Sequence, residues 1–530
     1  MKEHHWWQTG VVYQIYPRSF QDTNGDGVGD LKGIAQRLDY LVELGVDAVW
    51  ISPFFPSPMA DFGYDISNYT AVDPLFGTLS DFEELLREAH ARRLRVILDL
   101  VPNHTSDEHA WFVESRSSRT SPKRDWYIWH DAGPDGGPPN NWLSEFGGSA
   151  WEWDEATGQY YYHAFLKEQP DLNWRNGEVR DAMMNVIRFW LDAGVDGFRV
   201  DVMWHLIKDA HFRDNPRNPD WTPDQSPYRS LIPAYSADQP DVHDVVRLMR
   251  QTMDVYGDKV LIGEIYLPVT ELVRYYGEHG SGAHLPFNFQ LVVLPWDAAQ
   301  ISAAVSQYEA SLPSHGWPNW VLGNHDRPRI ASRVGRPQAR VAAMLLLTLR
   351  GTPTLYYGDE IGMTDVPIPR ERMKDPVEKR LPGLGLGRDP QRTPMQWDAG
   401  PNASFTRGKP WLPIAADAAL VNVRAEEADD RSMLAFHRRL LALRRATPAL
   451  EVGEFRPILA DPPLFVFARW YDGHPHVIAL NMSSHAANVC LPPGLDAGRI
   501  LLSTHLDRDD EPVTGPLALR ADEGVILRIA

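Results

Sequence analysis

The stretch GFRVDV (197–202) decides the fold of this 530-residue chain, because it has the pattern of a buried strand that ends in a carboxylate. Its aromatic and β-branched residues are typical of a strand buried on both faces, and Asp201 stands where such a strand reaches a polar edge. Three more stretches share this pattern: LRVILDL (94–100, with Asp99), KVLIGEI (259–265, with Glu264) and NWVLGNHD (319–326, with Asp326). One acid at a strand end is ordinary, but four predict that parallel strands bring carboxylates together.

Strand-like runs alternate with amphipathic helical runs, which is typical of a parallel α/β architecture. The four remaining strand candidates are VVYQIY (11–16), VDAVWI (46–51), HLPFNFQL (284–291) and TPTLYYG (352–358). Eight parallel strands close a (β/α)8 barrel, so we predict a TIM barrel. Residues 178–193 place an apolar stripe on one helix face, and Gly194 stands where a C-terminal cap belongs.

The spacing of the strand-end acids predicts additional domains. The interval between Asp99 and Asp201 is far longer than the roughly 30 residues of a bare strand–helix unit. Residues 104–174 are rich in Trp, Tyr, Gly and Pro, so we predict an inserted subdomain after the third strand. Short alternating strands near the end predict a C-terminal antiparallel β domain. The predicted boundaries are 1–103 and 175–451 for the barrel, 104–174 for the inserted subdomain and 452–530 for the C-terminal domain.

The composition argues against several classes of function. The net charge of −19 disfavours nucleic acid and anionic membranes as partners. The single cysteine, Cys490, excludes an internal disulfide and a cysteine-ligated metal cluster. The N-terminal MKEHHWWQTG (1–10) has no apolar run like that of a signal peptide, and no stretch has the apolar length of a membrane helix. We therefore expect a cytoplasmic protein, a monomer or small homo-oligomer, without an organic cofactor.

The strand-end acids suit the chemistry of glycoside cleavage. In a parallel barrel the carboxyl ends of the strands share one face, so Asp201, Glu264 and Asp326 are expected there together. Cleavage needs two carboxyl groups in opposite protonation states, one as nucleophile and one as proton donor. Arg199 faces the same side of its strand as Asp201, and we expect it to keep Asp201 ionised. A set of structural capping acids is the alternative for any one motif, but four at one face favour catalysis.

Four motifs together resemble the signature regions of the α-amylase family, glycoside hydrolase family 13: DLVPNHTS (99–106), GFRVDV (197–202), GEIY (263–266) and GNHD (323–326). QPDLNW (169–174) and RTPMQWD (392–398) resemble the α-glucosidase and oligo-1,6-glucosidase subgroup. The resemblance implies a retaining enzyme with Asp201 as nucleophile and Glu264 as general acid/base. It implies that Asp326 is the third acid, which stabilises the distorted sugar in the transition state.

The resemblance also implies residues that bind the cleaved sugar. His104 and His325 each lie beside a signature acid and are expected to hydrogen-bond sugar hydroxyls. In DFGYDISNY (61–69), Tyr64 resembles an aromatic residue that stacks on the non-reducing sugar, with core packing as the alternative. The expected substrate-binding residues are Tyr64, Asp65, His104, Phe165, Arg199, His325 and Arg392.

An ion pair is expected to close the pocket beyond the terminal glucose. In the subgroup an Asp, here matched to Asp65, pairs with the Arg of RTPMQW, here Arg392. Such a pair would enforce exo action, because the chain of a longer glucan could not pass it. Arg388, in GRDPQRTPMQW, is the competing candidate for the arginine.

The residue after the nucleophile bears on the linkage. Val202 resembles the version found with α-1,6 and small-disaccharide substrates, although discrimination on this scale is worth only about 1–3 kcal/mol. We expect a broad exo-α-glucosidase that acts on isomaltose-, trehalose-, sucrose- or maltose-type substrates. The alternative is a glucosyl transferase or isomerase of the same family, of the trehalose synthase or sucrose isomerase type, which shares the glucosyl-enzyme intermediate. A non-catalytic relative is disfavoured because all three acids are present.

The loop DTNGDGVGD (22–30) has oxygen-bearing side chains at alternate positions. The spacing matches the first half of an EF-hand, but Gly33 replaces the twelfth-position Glu, so the loop is not an EF-hand. The family resemblance implies a structural Ca²⁺, or Mg²⁺, held by Asp22, Asn24, Asp26, Asp30 and the backbone of Val28. An Asx-rich turn without metal is the alternative.

Overall fold

The eight predicted strands form one parallel sheet in the computed structural model, which describes residues 4–529. They are β1 (Val12–Ile15), β2 (Ala48–Ile51), β3 (Arg95–Leu100), β4 (Gly197–Val200), β5 (Val260–Gly263), β6 (Leu285–Pro286), β7 (Asn319–Val321) and β8 (Thr352–Tyr356). The strands pair in the order β7, β8, β1 and onward to β6, and a parallel bridge between Asn288 and Trp320 spans the remaining gap. The predicted (β/α)8 barrel is confirmed.

Of the strands that end earlier than the sequence predicted, β4 and β6 bear most on the site. β4 ends at Val200, because Val202 adopts a left-handed backbone with a φ of 37°. This conformation is strained for a β-branched residue and cannot continue a strand. β6 is limited to Leu285–Pro286, since proline lacks the N–H that a sheet interior requires. Both early endings turn the following residues toward the carboxyl face of the barrel.

Helices pack around the barrel. The longer ones are Leu79–Ala91, Gly177–Asp192, Val242–Asp254, Ala298–Ser311, Ile330–Thr348 and Met433–Ala446. The shorter ones are Trp6–Thr9, Leu31–Gln36, Leu38–Leu44, Ala110–Arg116, Val269–Leu272, Gln290–Val293, Pro376–Arg380, Val423–Glu427 and Pro448–Val452. The helix predicted at 178–193 begins after Asn176, whose side chain accepts a hydrogen bond from the Glu178 N–H. Gly194 follows it with a φ of 103°, as a C-terminal cap requires.

No helix within residues 4–529 combines the length and apolar character needed to cross a lipid bilayer. The first three residues of the N-terminal segment MKEHHWWQTG lie outside the described residues. The free Cys490 is exposed.

Two further β structures lie outside the barrel. A three-stranded antiparallel sheet within residues 104–174 is formed by Trp129–His130, Trp151–Asp154 and Gln159–Tyr162. The C-terminal part of the chain forms antiparallel sheets, as predicted. Their strands are Glu454–Asp461, Leu464–Tyr471, His474–Asn481, Ala487–Val489, Ala497–Ser503, Pro512–Thr514, Leu517–Leu519 and Gly524–Ile529.

A buried arginine joins the C-terminal sheet to the barrel. Arg469, in the strand Leu464–Tyr471, donates hydrogen bonds to the backbone oxygens of Thr348, Leu450 and Gly453. Its side chain is fully buried and forms no ion pair within residues 4–529. The three carbonyls lie at or near the C-terminal ends of two helices, where a cation is favoured and orphan carbonyls need donors.

We expect Arg469→Met to lower the thermal stability of the protein. Removal of the guanidinium takes away the side-chain donor of the buried Thr348 and Gly453 carbonyls, which costs on the order of 2–4 kcal/mol, while the Leu450 carbonyl keeps Arg444 as a donor at 3.0 Å. Differential scanning calorimetry should show the melting temperature falling by several degrees. Arg528→Met, on the exposed side of the same sheet, is the matched control and should leave it nearly unchanged. Equal melting temperatures for the two variants would contradict this role.

Candidate active site

The carboxyl ends of the barrel strands open into a cavity of about 410 Å³. This volume is typical of sites for small ligands. The cavity is lined by seven of the site residues predicted from the sequence: Tyr64, His104, Phe165, Asp201, Glu264, His325 and Asp326. All three predicted catalytic acids therefore line this cavity, which lies at the carboxyl face of the barrel as the topology requires.

One buried guanidinium organises the carboxylates beneath this cavity. Arg199 donates from Nη1 to Asp99 at 2.8 Å and to Asp201 at 2.7 Å. Its second terminal nitrogen lies 2.6 Å from a carboxylate oxygen of Glu264. The backbone N–H of Val202 donates to the same oxygen of Glu264 at 2.9 Å. Arg199 thus holds three carboxyl groups from three adjacent strand ends.

Because the guanidinium is shared, its hold on each carboxylate is weak relative to burial. Burial, together with the charges of Glu264 and Asp99, raises the pKa of Asp201 well above its ordinary value, although Arg199 opposes the shift. Burial also raises the pKa of Asp99 to about 6. Arg199 acts on Asp201 in the predicted direction but is outweighed by burial and the neighbouring carboxylates, so the ionisation of Asp201 stays a prediction. One cation for three buried carboxyl groups is an imbalance of charge that favours binding of a proton within the cluster.

Asp326 lies in the opposite electrostatic environment. Arg392 contacts its carboxylate at 2.7 Å and Arg388 at 3.4 Å. Against the effect of burial, the neighbouring His325 ring and the charges of these two arginines hold the pKa of Asp326 well below its usual range. Asp326 is thus the carboxylate of the site that is ionised most firmly.

The two predicted sugar-binding histidines are buried and neutral. Burial lowers the pKa of His104 to about 4 and that of His325 well below its ordinary value. The Gln14 amide nitrogen lies 2.8 Å from Nδ1 of His325, which assigns the proton to Nε2 on the side of Asp326. The Tyr64 ring stacks on His325 at 5.3 Å, and its hydroxyl donates to Asp99. Each ring is therefore fixed before a ligand binds.

The predicted ion pair between Asp65 and Arg392 is wrong: the two side chains, both in the described chain, have other partners. Asp65 is fully buried and accepts hydrogen bonds from the Ser57 hydroxyl and from the N–H groups of Ala60 and Asp61. Its role is to cap the turn that carries Tyr64, because these donors satisfy both carboxylate oxygens. Arg392 instead pairs with the third acid, as described above.

The ion pair that lines the cavity joins Asp61 to Arg388 at 2.5 Å. Asp375 contacts the same guanidinium at 2.7 Å and fixes it from behind. The ring of Phe146 lies 5.0 Å from the Arg388 guanidinium. Arg388, the competing candidate from the sequence, is thus the arginine at the wall, and its partner is four residues before the predicted Asp65.

Other cavity residues were not singled out from the sequence. They include Glu145, Phe146, Gln169, Trp204, Tyr228, Tyr266 and Arg327. Most of them belong to the inserted subdomain or to the residues that directly follow β4, β5 and β7. The length of these loops was a signal that they form the walls, but no periodic pattern shows which loop side chains face inward.

A match to a known family fits this geometry. Residues 14–453 match the family model described as "Alpha amylase, catalytic domain". The chain belongs to the α-amylase family. It is therefore a family 13 glycoside hydrolase, as the sequence predicted, and the strand-end acids on its cavity wall are those of the signature motifs.

Curated relatives and solved structures narrow the likeness. This glycoside hydrolase is 44% identical over 501 residues to a probable alpha-glucosidase of Rhizobium meliloti (strain 1021), covering 92% of this chain and 91% of that protein. It is 39% identical over 544 residues to an oligo-1,6-glucosidase of Heyndrickxia coagulans, covering 95% of this chain and 96% of that protein. The crystal structure of an alpha-glucosyl transfer enzyme superposes with a TM-score of 0.94 at 42% identity, covering 100% of both chains.

In the loop at residues 22–30 of this glycoside hydrolase, the carboxylate oxygens of Asp22 and Asp30 accept hydrogen bonds from nearby backbone N–H groups. Asp22 accepts three backbone N–H bonds within the loop, and Asp30 accepts from Thr23 and Gly33. Within residues 4–529, no three His, Cys, Asp or Glu side chains are arranged to hold a metal ion. As arranged, the carboxylates cap turns rather than form a ligand shell. Calcium binding by Asp22, Asn24, Asp26, Val28 and Asp30 stays a prediction.

A buried ammonium group holds the loops of this glycoside hydrolase around His104. Lys208, after β4, donates to Asn103 at 2.7 Å and to the Asp171 carboxylate. Asp171, in QPDLNW, also accepts hydrogen bonds from Asn103 at 2.8 Å and from the Ala164 N–H at 2.7 Å. The Asn103 amide nitrogen lies 3.2 Å from Nδ1 of His104. One ion pair thus links the end of β3, the inserted subdomain and the loop after β4.

We expect Lys208→Met to destabilise the enzyme strongly. The variant leaves the fully buried Asp171 carboxylate without its cation, a change that typically costs about 3–5 kcal/mol. Lys167→Met is the matched control, because Lys167 contacts Glu152 at 3.7 Å at the surface of the same subdomain, and such pairs are worth about 0–1 kcal/mol. Thermal unfolding of both variants checks the difference, and a similar small loss in both would exclude the proposed link.

Proposed function

We propose that this family 13 enzyme is a retaining, exo-acting α-glucosidase that releases glucose from the non-reducing end of short α-glucosides. The observation that carries the proposal is the wall formed by Asp61, Arg388 and Phe146 beside Asp326. Arg388 is buried and held by two carboxylates, so the wall is rigid on this side. A rigid wall next to the catalytic acids leaves room for one terminal sugar and stops a glucan chain from passing through.

In the first step, the Asp201 carboxylate attacks the anomeric carbon of the terminal glucose while Glu264 donates a proton to the glycosidic oxygen. The bond between that carbon and oxygen breaks, and the remainder of the substrate leaves as an alcohol. In the second step, Glu264 takes a proton from water, which attacks the same carbon and breaks the ester to Asp201. Two inversions release glucose with its configuration retained.

The electrostatics of the site support these roles. Arg199 holds both Asp201 and Glu264, so the proposed nucleophile and the proposed proton donor lie on one wall of the cavity. Asp326 stays ionised beside two arginines and is suited to accept hydrogen bonds from sugar hydroxyls and to stabilise positive charge at the anomeric centre. His325, neutral with its proton on Nε2, is a donor to the same sugar.

The proposed substrates are isomaltose, trehalose, sucrose or maltose and their analogues. Val202 lines the cavity next to Asp201, and its β-branched side chain narrows the space for the leaving sugar. A difference of one methyl group changes the preference between linkages by only about 1–3 kcal/mol. We therefore expect the enzyme to act on several small α-glucosides rather than on a single one.

A second candidate is a glucosyl transferase or isomerase that uses the same intermediate. The observation that favours it is the 0.94 TM-score likeness to an alpha-glucosyl transfer enzyme along the whole chain. The two functions differ in whether water or a sugar hydroxyl attacks in the second step, so they share every residue of the first step.

We expect Asp201→Asn to abolish turnover and to retain sugar binding. An amide is not a nucleophile toward the anomeric carbon, so kcat/KM on the best disaccharide should fall by at least about 10³-fold. Calorimetric titration with glucose should still show binding. Asp181→Asn, on the exposed face of the helix Gly177–Asp192, removes a charge elsewhere and should leave turnover unchanged. Near wild-type rates in Asp201→Asn would rule out its role as nucleophile.

A substrate panel tests the exo pocket and separates the two candidates. Maltose, isomaltose, trehalose, sucrose and starch are each incubated with the enzyme, and the products are resolved by chromatography. We expect glucose from the disaccharides and little release from starch, because the wall at Asp61 and Arg388 blocks a chain. Rapid starch cleavage would refute the exo pocket. Isomers or longer oligosaccharides as the main products at high sugar concentration would favour the transferase.

A further inference from the structure

A second cavity, which we call the amino-face cavity, lies at the end of the barrel opposite the catalytic acids. Its charged lining residues are Asp47, Arg93, Arg95, Arg444, Arg445 and Glu451. Asp47 directly precedes β2 and Arg95 begins β3, which places the cavity at the amino ends of the strands. Catalysis in (β/α)8 enzymes takes place at the carboxyl ends, so the proposed α-glucosidase function leaves this cavity unexplained.

The amino-face cavity is cationic in an acidic protein. Four arginines line it together with two carboxylates, which leaves two positive charges, whereas the whole chain carries a net charge of −19. Its volume of about 300 Å³ is enough for a small ligand. A concave surface with an excess of one charge concentrates ligands of the opposite charge. The cavity therefore favours a small anion.

One of the four arginines is buried without a counter-ion. Arg444 is 2% exposed, and its terminal nitrogens donate to the backbone oxygens of Leu347, Gly351 and Leu450. Within residues 4–529, Arg444 forms no ion pair and its Nε has no hydrogen-bond partner. Burial lowers the pKa of Arg444 to about 10, because a buried charge without a counter-ion is costly. An anion in the cavity would offset part of this cost.

A second buried cation adds to the excess of positive charge. Arg469, which joins the C-terminal sheet to the barrel, shares the Leu450 carbonyl with Arg444, and each donates to it at 3.0 Å. Neither guanidinium has a carboxylate partner in the part of the chain that the structure describes. Burial, together with the charge of Arg444, lowers the pKa of Arg469 well below its ordinary range. Two adjacent buried cations thus stand beside a cavity that has room for an anion.

The other three arginines keep donors free for such an anion. Arg93 is exposed, and its side chain takes part in no ion pair or hydrogen bond among the described residues. Arg445 contacts Asp47 at 2.7 Å through a single terminal nitrogen. Arg95 contacts Asp196 at 3.1 Å, also through one nitrogen. Because a guanidinium carries several N–H donors, each of these side chains is able to bind a further acceptor.

We propose that the amino-face cavity binds a phosphate group, of inorganic phosphate or of a small phosphate monoester, with Arg93, Arg95 and Arg445 donating hydrogen bonds to its oxygens. The fork of a guanidinium matches a pair of phosphate oxygens. A phosphate monoester carries a charge of about −1.5 to −2 at pH 7, which balances the two surplus positive charges of the lining. The site is separate from the catalytic cavity and does not depend on the proposed α-glucosidase function.

The test is isothermal titration calorimetry with inorganic phosphate and, separately, with glucose 6-phosphate, a sugar-sized phosphate monoester. Chloride keeps the ionic strength constant, because salt screens exposed charges. The variants are Arg93→Gln and Arg445→Gln, each of which removes one exposed guanidinium from the cavity. Arg528→Gln is the matched control, since it removes an exposed arginine from the C-terminal sheet. Glucose, which lacks the phosphate, is titrated to monitor the catalytic cavity.

We expect both phosphate probes to bind the wild type at millimolar concentrations or below. Their dissociation constants should rise on the order of 10-fold in Arg93→Gln and in Arg445→Gln, since each variant loses charge-assisted hydrogen bonds. Arg528→Gln should match the wild type, and glucose binding should be unchanged in all three variants. Phosphate should also raise the melting temperature of the wild type more than that of Arg93→Gln, because a ligand of the folded state stabilises it.

Binding of only one probe would support the inference and identify the source of the group, free phosphate or a phosphorylated sugar. Failure of both probes to bind the wild type would overturn it. Equal affinities in the wild type and the two cavity variants would overturn it as well, because phosphate would then bind elsewhere. A parallel loss of glucose binding and phosphate binding in Arg93→Gln would also contradict it, since the substitution would then act through the fold.

Discussion

The shared ion contact of Arg199 with Asp99, Asp201 and Glu264 is the constraint on which the rest of the site depends. In-register parallel pairing of β3 with β4 places Asp99 beside Arg199, and β5 delivers Glu264 from the other side. Three buried carboxylates without a cation would repel each other and strongly destabilise the fold. With one cation for three acids, the cluster is held together and still carries excess negative charge. Together with burial, this excess of negative charge raises the pKa values of Asp201 and Asp99.

The barrel and the catalytic acids were predictable from the sequence because both follow from periodicity and topology. A buried parallel strand is a short apolar run, its carboxyl end lies on a known face, and Asp201, Glu264 and Asp326 come directly after such runs. The ion pair between Asp61 and Arg388 at the cavity wall was not predictable in this way. Asp61 and Asp65 are four residues apart, and so are Arg388 and Arg392, so either pairing matches the spacing. In an irregular loop only the local hydrogen bonds decide which side chain faces inward, and those of Asp65 turn it toward its own backbone.

The protonation of the site was also beyond the sequence. The alternation of a strand shows that Arg199 and Asp201 share a face, but not that Asp99 and Glu264 compete for the same guanidinium. The pKa of Asp201 is shifted upward because burial and two neighbouring carboxylates outweigh the single Arg199 guanidinium. The same holds for Asp326, whose two arginines come from a segment more than sixty residues away in the chain. Charges that reach a site from distant parts of the chain leave no periodic pattern in the sequence.

On the proposed mechanism, the balance between hydrolysis and transfer depends on how tightly the cavity holds the leaving sugar. After the first step the leaving sugar still lies in the cavity while Asp201 carries the glucosyl group. A sugar that stays bound there occupies the space that water needs, and its hydroxyls lie closest to Glu264, the base of the second step. Tighter recognition of the leaving sugar therefore favours its return to the anomeric carbon, and weaker recognition favours water. A residue that improves cleavage of disaccharides by holding the leaving group accordingly makes the enzyme a better transferase, so the two candidate functions are ends of one scale set by the same contacts.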